Sequence, residues 1–159
     1  MPTAAIYPGS FDPLTLGHID IVQRGLKIFD RVVLAVAVNR NKAHLFSLEE
    51  RLELARACLG HHPGIEFDVL DELLVHYCQR KGVHVVLRGL RAVSDFEYEF
   101  QLSSMNRKLA SNIETVFMMT SEEHFYLSSN LVREIASYGG DVRELVPAPV
   151  LAALESKLR

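Results

Sequence analysis

Several short stretches of this chain combine residue types that hold phosphate, and each follows an apolar run. The first is YPGSFDPLTLGH, from Tyr7 to His18. Gly9 permits close approach of the backbone to a ligand, while Pro8 and Pro13 stiffen the loop. Gly17-His18 falls where a helix starts, and there unpaired amides and the helix dipole favour an anion. A histidine at that point can donate to a phosphate oxygen without adding a permanent charge; a solvated first-turn histidine is the plainer alternative. The second stretch is RGLRAVSDFEYE, Arg88 to Glu99, directly after the apolar run VVL. Two arginines around a glycine suit bidentate phosphate binding. The third is HFYLSSNLVRE, His124 to Glu134, in which Ser128 and Ser129 open a helix. Hydroxyls there can bind an anion, or one of them can simply cap the helix. Lys42 stands just beyond a fourth apolar run, whereas its neighbour Arg40 reads as a solvated loop residue.

Other chemistry-bearing residues read as structural. The adjacent pair His61-His62 rarely could point at one metal ion. Glu97 and Glu99 are two apart on a helix and diverge, so they form no shared acid–base dyad. Met118-Met119 ends a strand and belongs to the core. Cys58 and Cys78 are isolated, twenty positions apart, and read as buried free thiols of a reducing compartment.

The elements that must position these groups alternate along the chain. Ala4 to Tyr7 is a short strand, and Ile19, Val22, Leu26 and Phe29 form a helical stripe. VVLAVAV, Val32 to Val38, is rich in β-branched residues and reads as a strand buried on both faces, as in parallel sheets. Ser47 and Glu50 form a capping box that opens a helix closed by Gly60. Ile65 to Val69 is a third strand. Asp71 can cap a helix ending at Gly82, and Val83 to Leu87 is a fourth strand. Asp95 begins a longer helix, Thr115 to Met119 is a fifth strand, and Pro147-Ala148-Pro149 opens the last helix. Alternation of this kind predicts an α/β fold: one Rossmann-like, doubly wound domain over residues 1–159, with a five-stranded parallel sheet and helices on both faces. Ligands of such sheets sit beyond the carboxyl ends of the strands, where strand order reverses. Every phosphate-suited stretch follows a strand.

Composition narrows the classes. With 159 residues the chain holds one domain and needs no disulfide or metal to fold. A net charge of −3 lacks the basic surface of a nucleic-acid binder, so an anionic ligand must be held by a few local cations. No apolar run approaches the ~18 residues of a membrane span, and the chain begins without a basic n-region or a cleavage site. A cytoplasmic protein that binds neither nucleic acid nor membrane is expected.

Tyr7 to His18 resembles the GxFDPxxxGH signature of the nucleotidyltransferase superfamily, whose helix-start motif HxGH appears here as TLGH. RGLRAVSDFEYE and LSSNLVRE are more specific, and with them the chain resembles the phosphopantetheine adenylyltransferase family from its first strand to its last helix. The resemblance implies transfer of adenylate from ATP to 4′-phosphopantetheine, giving dephospho-coenzyme A and pyrophosphate, with Mg²⁺ carried by the nucleotide. It also implies a homo-hexamer and coenzyme A as a feedback ligand. Carried over by position, Ser10, Lys42 and Arg88 hold the acceptor phosphate, with Leu74 beside the pantetheine arm. Ser10, Phe11 and His18 contact ATP, as do Gly89, Leu90, Arg91 and Glu99. So do His124, Phe125, Tyr126 and Leu127, followed by Ser128, Ser129 and Asn130. Ser10 stands where many members have Thr, which keeps the hydroxyl. HFYLSSN departs from the commoner aromatic-Ser-Phe-Ile-Ser-Ser pattern.

The expected chemistry is in-line displacement at the α-phosphorus by an acceptor that is already anionic, so neither base nor covalent intermediate is needed. Lys42 neutralises the approaching anions, and His18 and Arg91 stabilise the departing pyrophosphate. Related transferases acting on nicotinate mononucleotide or glycerol phosphate stay open, as does a nucleotide sensor without turnover. A flavodoxin-like carrier fits less well, since tryptophan is absent.

Overall fold

Val32 to Val36 have no solvent exposure, because the strand that holds them is covered on both faces. The computed structural model describes residues 3–91 and 93–159. Its strands are β1 (Ala4–Gly9), β2 (Arg31–Ala37), β3 (Ile65–Leu70), β4 (Val85–Leu90) and β5 (Glu114–Met119). They alternate with α1 (Leu16–Gly25), α2 (Leu48–Leu59), α3 (Leu74–Lys81) and α4 (Val93–Leu109), and α5 (Ser129–Ser137) and α6 (Ala148–Leu158) follow β5. A single 3₁₀ turn, Glu122–His124, precedes α5.

The sheet order is β3-β2-β1-β4-β5, with every pair parallel. Side chains alternate across it. Val32, Leu34 and Val36 join Ala5 and Tyr7 in one core cluster, while Val33 and Ala35 join Ile6 in the other. The first cluster is closed by Ile21 and Val22 of α1, Leu59 of α2, Val132 of α5 and Leu154 of α6. Val75, Tyr77 and Cys78 of α3 close the second. A strand facing two cores has no use for alternation, hence the unbroken apolar run.

Strand order reverses between β1 and β4, and pairing is sparse there. β1 and β2 share a register of six rungs, but β1 meets β4 only at Ile6↔Val86. Beyond that rung the strands part and leave a crevice at their carboxyl ends, the expected ligand position for this topology.

Local signals were mostly obeyed. Ser47 accepts from Glu50 N at 3.2 Å while the Glu50 carboxylate accepts from Ser47 N at 2.7 Å, so the capping box forms. Ser128 caps α5 by accepting from Leu131 N at 3.1 Å. Gly82 ends α3 at φ 67, where a side chain would be strained. Other expectations need correction. Asp71 does not cap α3; Leu73 holds the cap position without a side-chain bond, and Asp71 instead pairs with Arg40 at 2.7 Å. Met118 is buried, but Met119 at the end of the edge strand is 65% exposed. α1 ends at Gly25, so Leu26 and Phe29 pack from the turn that follows it. β4 runs on to Leu90, which places Arg88 and Gly89 inside the strand.

α6 returns to the start of α2. Lys157 Nζ donates to both oxygens of Glu50 at 2.8 and 2.6 Å and lies 5.3 Å from the centre of the Phe46 ring.

Candidate active site

The crevice between β1 and β4 opens into a cleft of about 330 Å³. Its floor is the loop that follows β1. Arg88 Nη1 takes the Pro8 carbonyl, which the interrupted ladder leaves free, at 2.9 Å. Phe11 then turns at φ 48, an unusual conformation for a residue with a Cβ that costs ~1–3 kcal/mol. Such a turn persists only when its surroundings over-determine it, and here they do. The Phe11 ring is buried and meets Tyr7 edge-on at 5.3 Å and His18 at 5.0 Å. A Cβ on Gly9 would stand 2.9 Å from that ring. Gly9 therefore makes room for Phe11, a different service from the ligand approach that the sequence suggests.

The carboxylate of Asp12 is wholly buried and accepts from Leu45 N at 2.8 Å and Phe46 N at 2.9 Å. It thereby ties the β1 loop to the base of the loop bearing Lys42. His44 and Arg133 approach the same carboxylate at 3.4 and 3.7 Å. Ser129 Oγ donates to Pro13 O at 2.8 Å and binds the start of α5 to the same loop.

His18 is part of the α1 cap. Its Nδ1 accepts from Thr15 N at 3.0 Å, so the neutral ring carries its proton on Nε2. Burial, and then the charges of Arg91 and Arg88, lower its pKa from the usual 6.5 to about 3. The ring is an uncharged hydrogen-bond donor at neutral pH. Tyr7 is fully enclosed beside it, and burial pushes its phenol upward.

The arginines are held by carboxylates. Arg88 Nε donates to Glu99 Oε2 at 2.8 Å, and Arg88 Nη2 donates to Glu99 Oε1. Burial pulls the Arg88 pKa down, but hydrogen bonding and the charge of Glu99 more than reverse this, so the guanidinium stays charged. Arg91 Nε donates to Asp95 Oδ2 at 2.9 Å, and its Nη1 to Leu127 O at 3.1 Å. Lys42 lines the cleft with an exposed side chain. Asn130 Oδ1 accepts from Arg133 Nη2, which leaves the Asn130 amide free to donate elsewhere.

His18, Lys42, Arg88 and Arg91 thus share one cleft, with Ser10, Phe11, Gly89, Glu99, Leu127, Ser128, Ser129 and Asn130. Leu74, Leu90, His124, Phe125 and Tyr126 do not line it. Leu74 packs beside the second core cluster, Leu90 closes β4, and Tyr126 is 82% exposed. Ala92, inside the RGLRAVSDFEYE motif, lies outside the described residues. Sequence reading passed over Asp12, Asp95, Tyr98 and Arg133, which also line the cleft. Asp95 had a local signal, since it stands four residues after an arginine at helical spacing.

The cytidylyltransferase-like family model matches residues 6–135. A phosphopantetheine adenylyltransferase of Anaeromyxobacter sp. (strain K) is 57% identical over 99% of this chain and 96% of its own length. One from Nitratidesulfovibrio vulgaris (strain DP4) is 52% identical over 96% and 82% respectively. A solved structure from Vibrio parahaemolyticus, described as a nicotinate-nucleotide adenylyltransferase, superimposes with a TM-score of 0.72 at 17% identity, covering 99% of this chain and 95% of that one. This last likeness is one of fold. Identity above one half over nearly the full length, together with a signature loop that lines the cleft, shows that the chain belongs to the phosphopantetheine adenylyltransferase family.

Proposed function

We propose that this chain, as a single nucleotidyltransferase domain over residues 1–159, transfers the adenylyl group of ATP to 4′-phosphopantetheine, giving dephospho-coenzyme A and pyrophosphate. The observation that carries this reading is the convergence of His18, Lys42, Arg88 and Arg91 at the switch point of the sheet. Three permanent cations and one neutral donor match two phosphorylated molecules that must meet head-on.

The acceptor phosphate attacks the α-phosphorus in line with the leaving pyrophosphate. That phosphate is already an anion, so no side chain has to remove a proton from it. The residues of the chain position the reactants and stabilise charge. Lys42 offsets the repulsion between the two anions, and Ser10 and Arg88 hold the acceptor. His18 donates Nε2–H to the nucleotide phosphates, and Arg91 stabilises the charge that gathers on pyrophosphate. Gly89 and Ser128 to Asn130 border the nucleotide side. Roles for Leu74, Leu90, His124, Phe125 and Tyr126 rest on the family resemblance. The carboxylates Asp12, Asp95 and Glu99 are committed to backbone amides or arginines. This favours Mg²⁺ that would arrive as part of the nucleotide substrate and would lower the charge of its phosphates.

Coenzyme A contains the product within it and so fits the same cleft as a feedback ligand. α4 leaves Phe96 and Phe100 49% and 57% exposed and stacked at 5.9 Å on one side, and Met105 and Leu109 54% and 57% exposed on the other. An apolar surface of that kind supports a homo-oligomer, a hexamer on the family resemblance. Among the described residues no helix is long and apolar enough to cross a membrane, which is compatible with a cytoplasmic enzyme.

A coupled pyrophosphate assay with ATP, Mg²⁺ and 4′-phosphopantetheine tests the reading. Release that depends on the acceptor is expected. Release that needs nicotinate mononucleotide instead overturns the substrate assignment, and ATP binding without turnover overturns the enzyme.

A further inference from the structure

The β1–β2 ladder ends at the Gly9↔Val36 rung. One residue further along each chain, the carbonyls of Ser10 and Ala37 both accept from a single nitrogen, Arg51 Nη1, at 2.8 and 2.9 Å. Arg51 sits in the first turns of α2, is 3% exposed, and leaves its Nε without a partner. Taking a guanidinium out of water with one nitrogen unpaired is a costly way to fix a helix to a sheet, and an apolar side chain of similar size often does that better. The carboxylates of Asp12 and Glu49 lie near enough to offset part of that cost, but the hydrogen bonds that Arg51 makes go to the two carbonyls.

Both carbonyls sit at the roots of loops that reach the cleft. Ser10 directly precedes the left-handed turn at Phe11. Ala37 closes the strand from which the chain runs on to Lys42. Arg51 itself is absent from the cleft lining. The nucleotide-side groups are anchored independently, His18 through Thr15 and Arg91 through Asp95 and Leu127.

We propose that Arg51 is a positioning residue for the acceptor phosphate, setting the separation of Ser10 and Lys42 by clamping the roots of their two loops with one nitrogen. The proposal rests on the assignment of Ser10 and Lys42 to that phosphate. Its signature is selectivity: Lys42 is assigned to the acceptor alone and Ser10 to both substrates, so use of the acceptor suffers far more than binding of ATP.

The test compares full-length wild type, Arg51→Lys and Arg51→Met, with folding followed by circular dichroism. Isothermal titration gives the affinities for ATP and for 4′-phosphopantetheine separately, and the pyrophosphate assay gives kcat and both KM values. The expected result for Arg51→Met is an acceptor KM and Kd raised about tenfold or more, with both ATP values within threefold of wild type. Arg51→Lys retains charge and donors and recovers part of the loss. Equal loss toward both ligands, or a lower kcat with both KM values unchanged, makes Arg51 merely structural and overturns the proposal. If Arg51→Met does not fold, Arg51→Gln, which keeps a donor but is too short to span both carbonyls, decides in its place: wild-type acceptor KM in a folded Arg51→Gln overturns it as well. A wild type that releases no pyrophosphate defeats the enzymatic reading, yet the titrations still judge Arg51. A wild type that binds neither ligand defeats both.

Discussion

The backbone N–H of Thr15 donates to Nδ1 of His18 at 3.0 Å, and this one bond fixes which ring nitrogen can face a ligand. With Nδ1 occupied as an acceptor, Nε2 carries the proton. In the role proposed for it, His18 donates to the leaving group as charge builds there, and replacing it by Ala removes that donor. A fall of roughly 10²–10³ in kcat is expected, read by steady-state pyrophosphate release.

The same histidine makes stability depend on pH. Its pKa is about 3 in the folded chain against 6.5 ordinarily, so the unfolded state binds more protons in between. Stability from this group is fully present above about pH 6.5 and is lost as pH falls toward 3. Urea denaturation of ligand-free His18→Gln should show a shallower decline than wild type across that interval. An identical decline excludes the assignment.

Removing Arg88 leaves the carboxylate of Glu99, 9% exposed, without its bidentate partner. Breaking a fully buried pair costs ~3–5 kcal/mol; Arg88 is 27% exposed, so a smaller loss is expected. Arg88→Ala should raise the acceptor KM more than it lowers kcat. Glu99→Gln keeps an oxygen for Arg88 and should unfold at higher denaturant than Arg88→Ala.

Burial pushes the thiols of Cys58 and Cys78 up to about 11. Few thiolates exist at pH 8, so a disulfide reagent should react slowly with native protein and fully in urea. Cys78 is buried, but Cys58 is only half-buried, contrary to the sequence expectation, so rapid native labelling of Cys78 contradicts its placement while Cys58 should react first.

Phe100 is 57% exposed on α4. If that face joins copies of the chain, Phe100→Asp lowers the mass measured by sedimentation while leaving the helical signal intact. An unchanged mass removes α4 from the contact.

What the sequence reveals depends on how far apart the interacting groups lie. β2 was legible because two cores demand an unbroken apolar run, and the Ser47–Glu50 cap because both partners lie within four residues. Asp71 was misread because a distant residue, Arg40, outcompeted the local helix end. Met119 was misread because its strand is at the edge of the sheet. The meeting of His18, Lys42, Arg88 and Arg91 in one cleft followed from the rule that loops after parallel strands converge. Its carboxylate supports did not, since Arg88 and Glu99 are separated by eleven positions. Arg51 was the least visible, because an arginine on an amphipathic helix reads as solvated surface.

The ammonium of Lys157 over the Phe46 ring reaches further than its place near the last residue suggests. Phe46 gives its amide to Asp12, and Asp12 belongs to the loop that floors the cleft. The last helix is thus joined, through Lys157, Phe46 and Asp12, to the loop that floors the cleft. Trimming α6 short of Lys157 removes an outer support of that loop, and a lowered melting temperature of the trimmed chain is the outcome to look for.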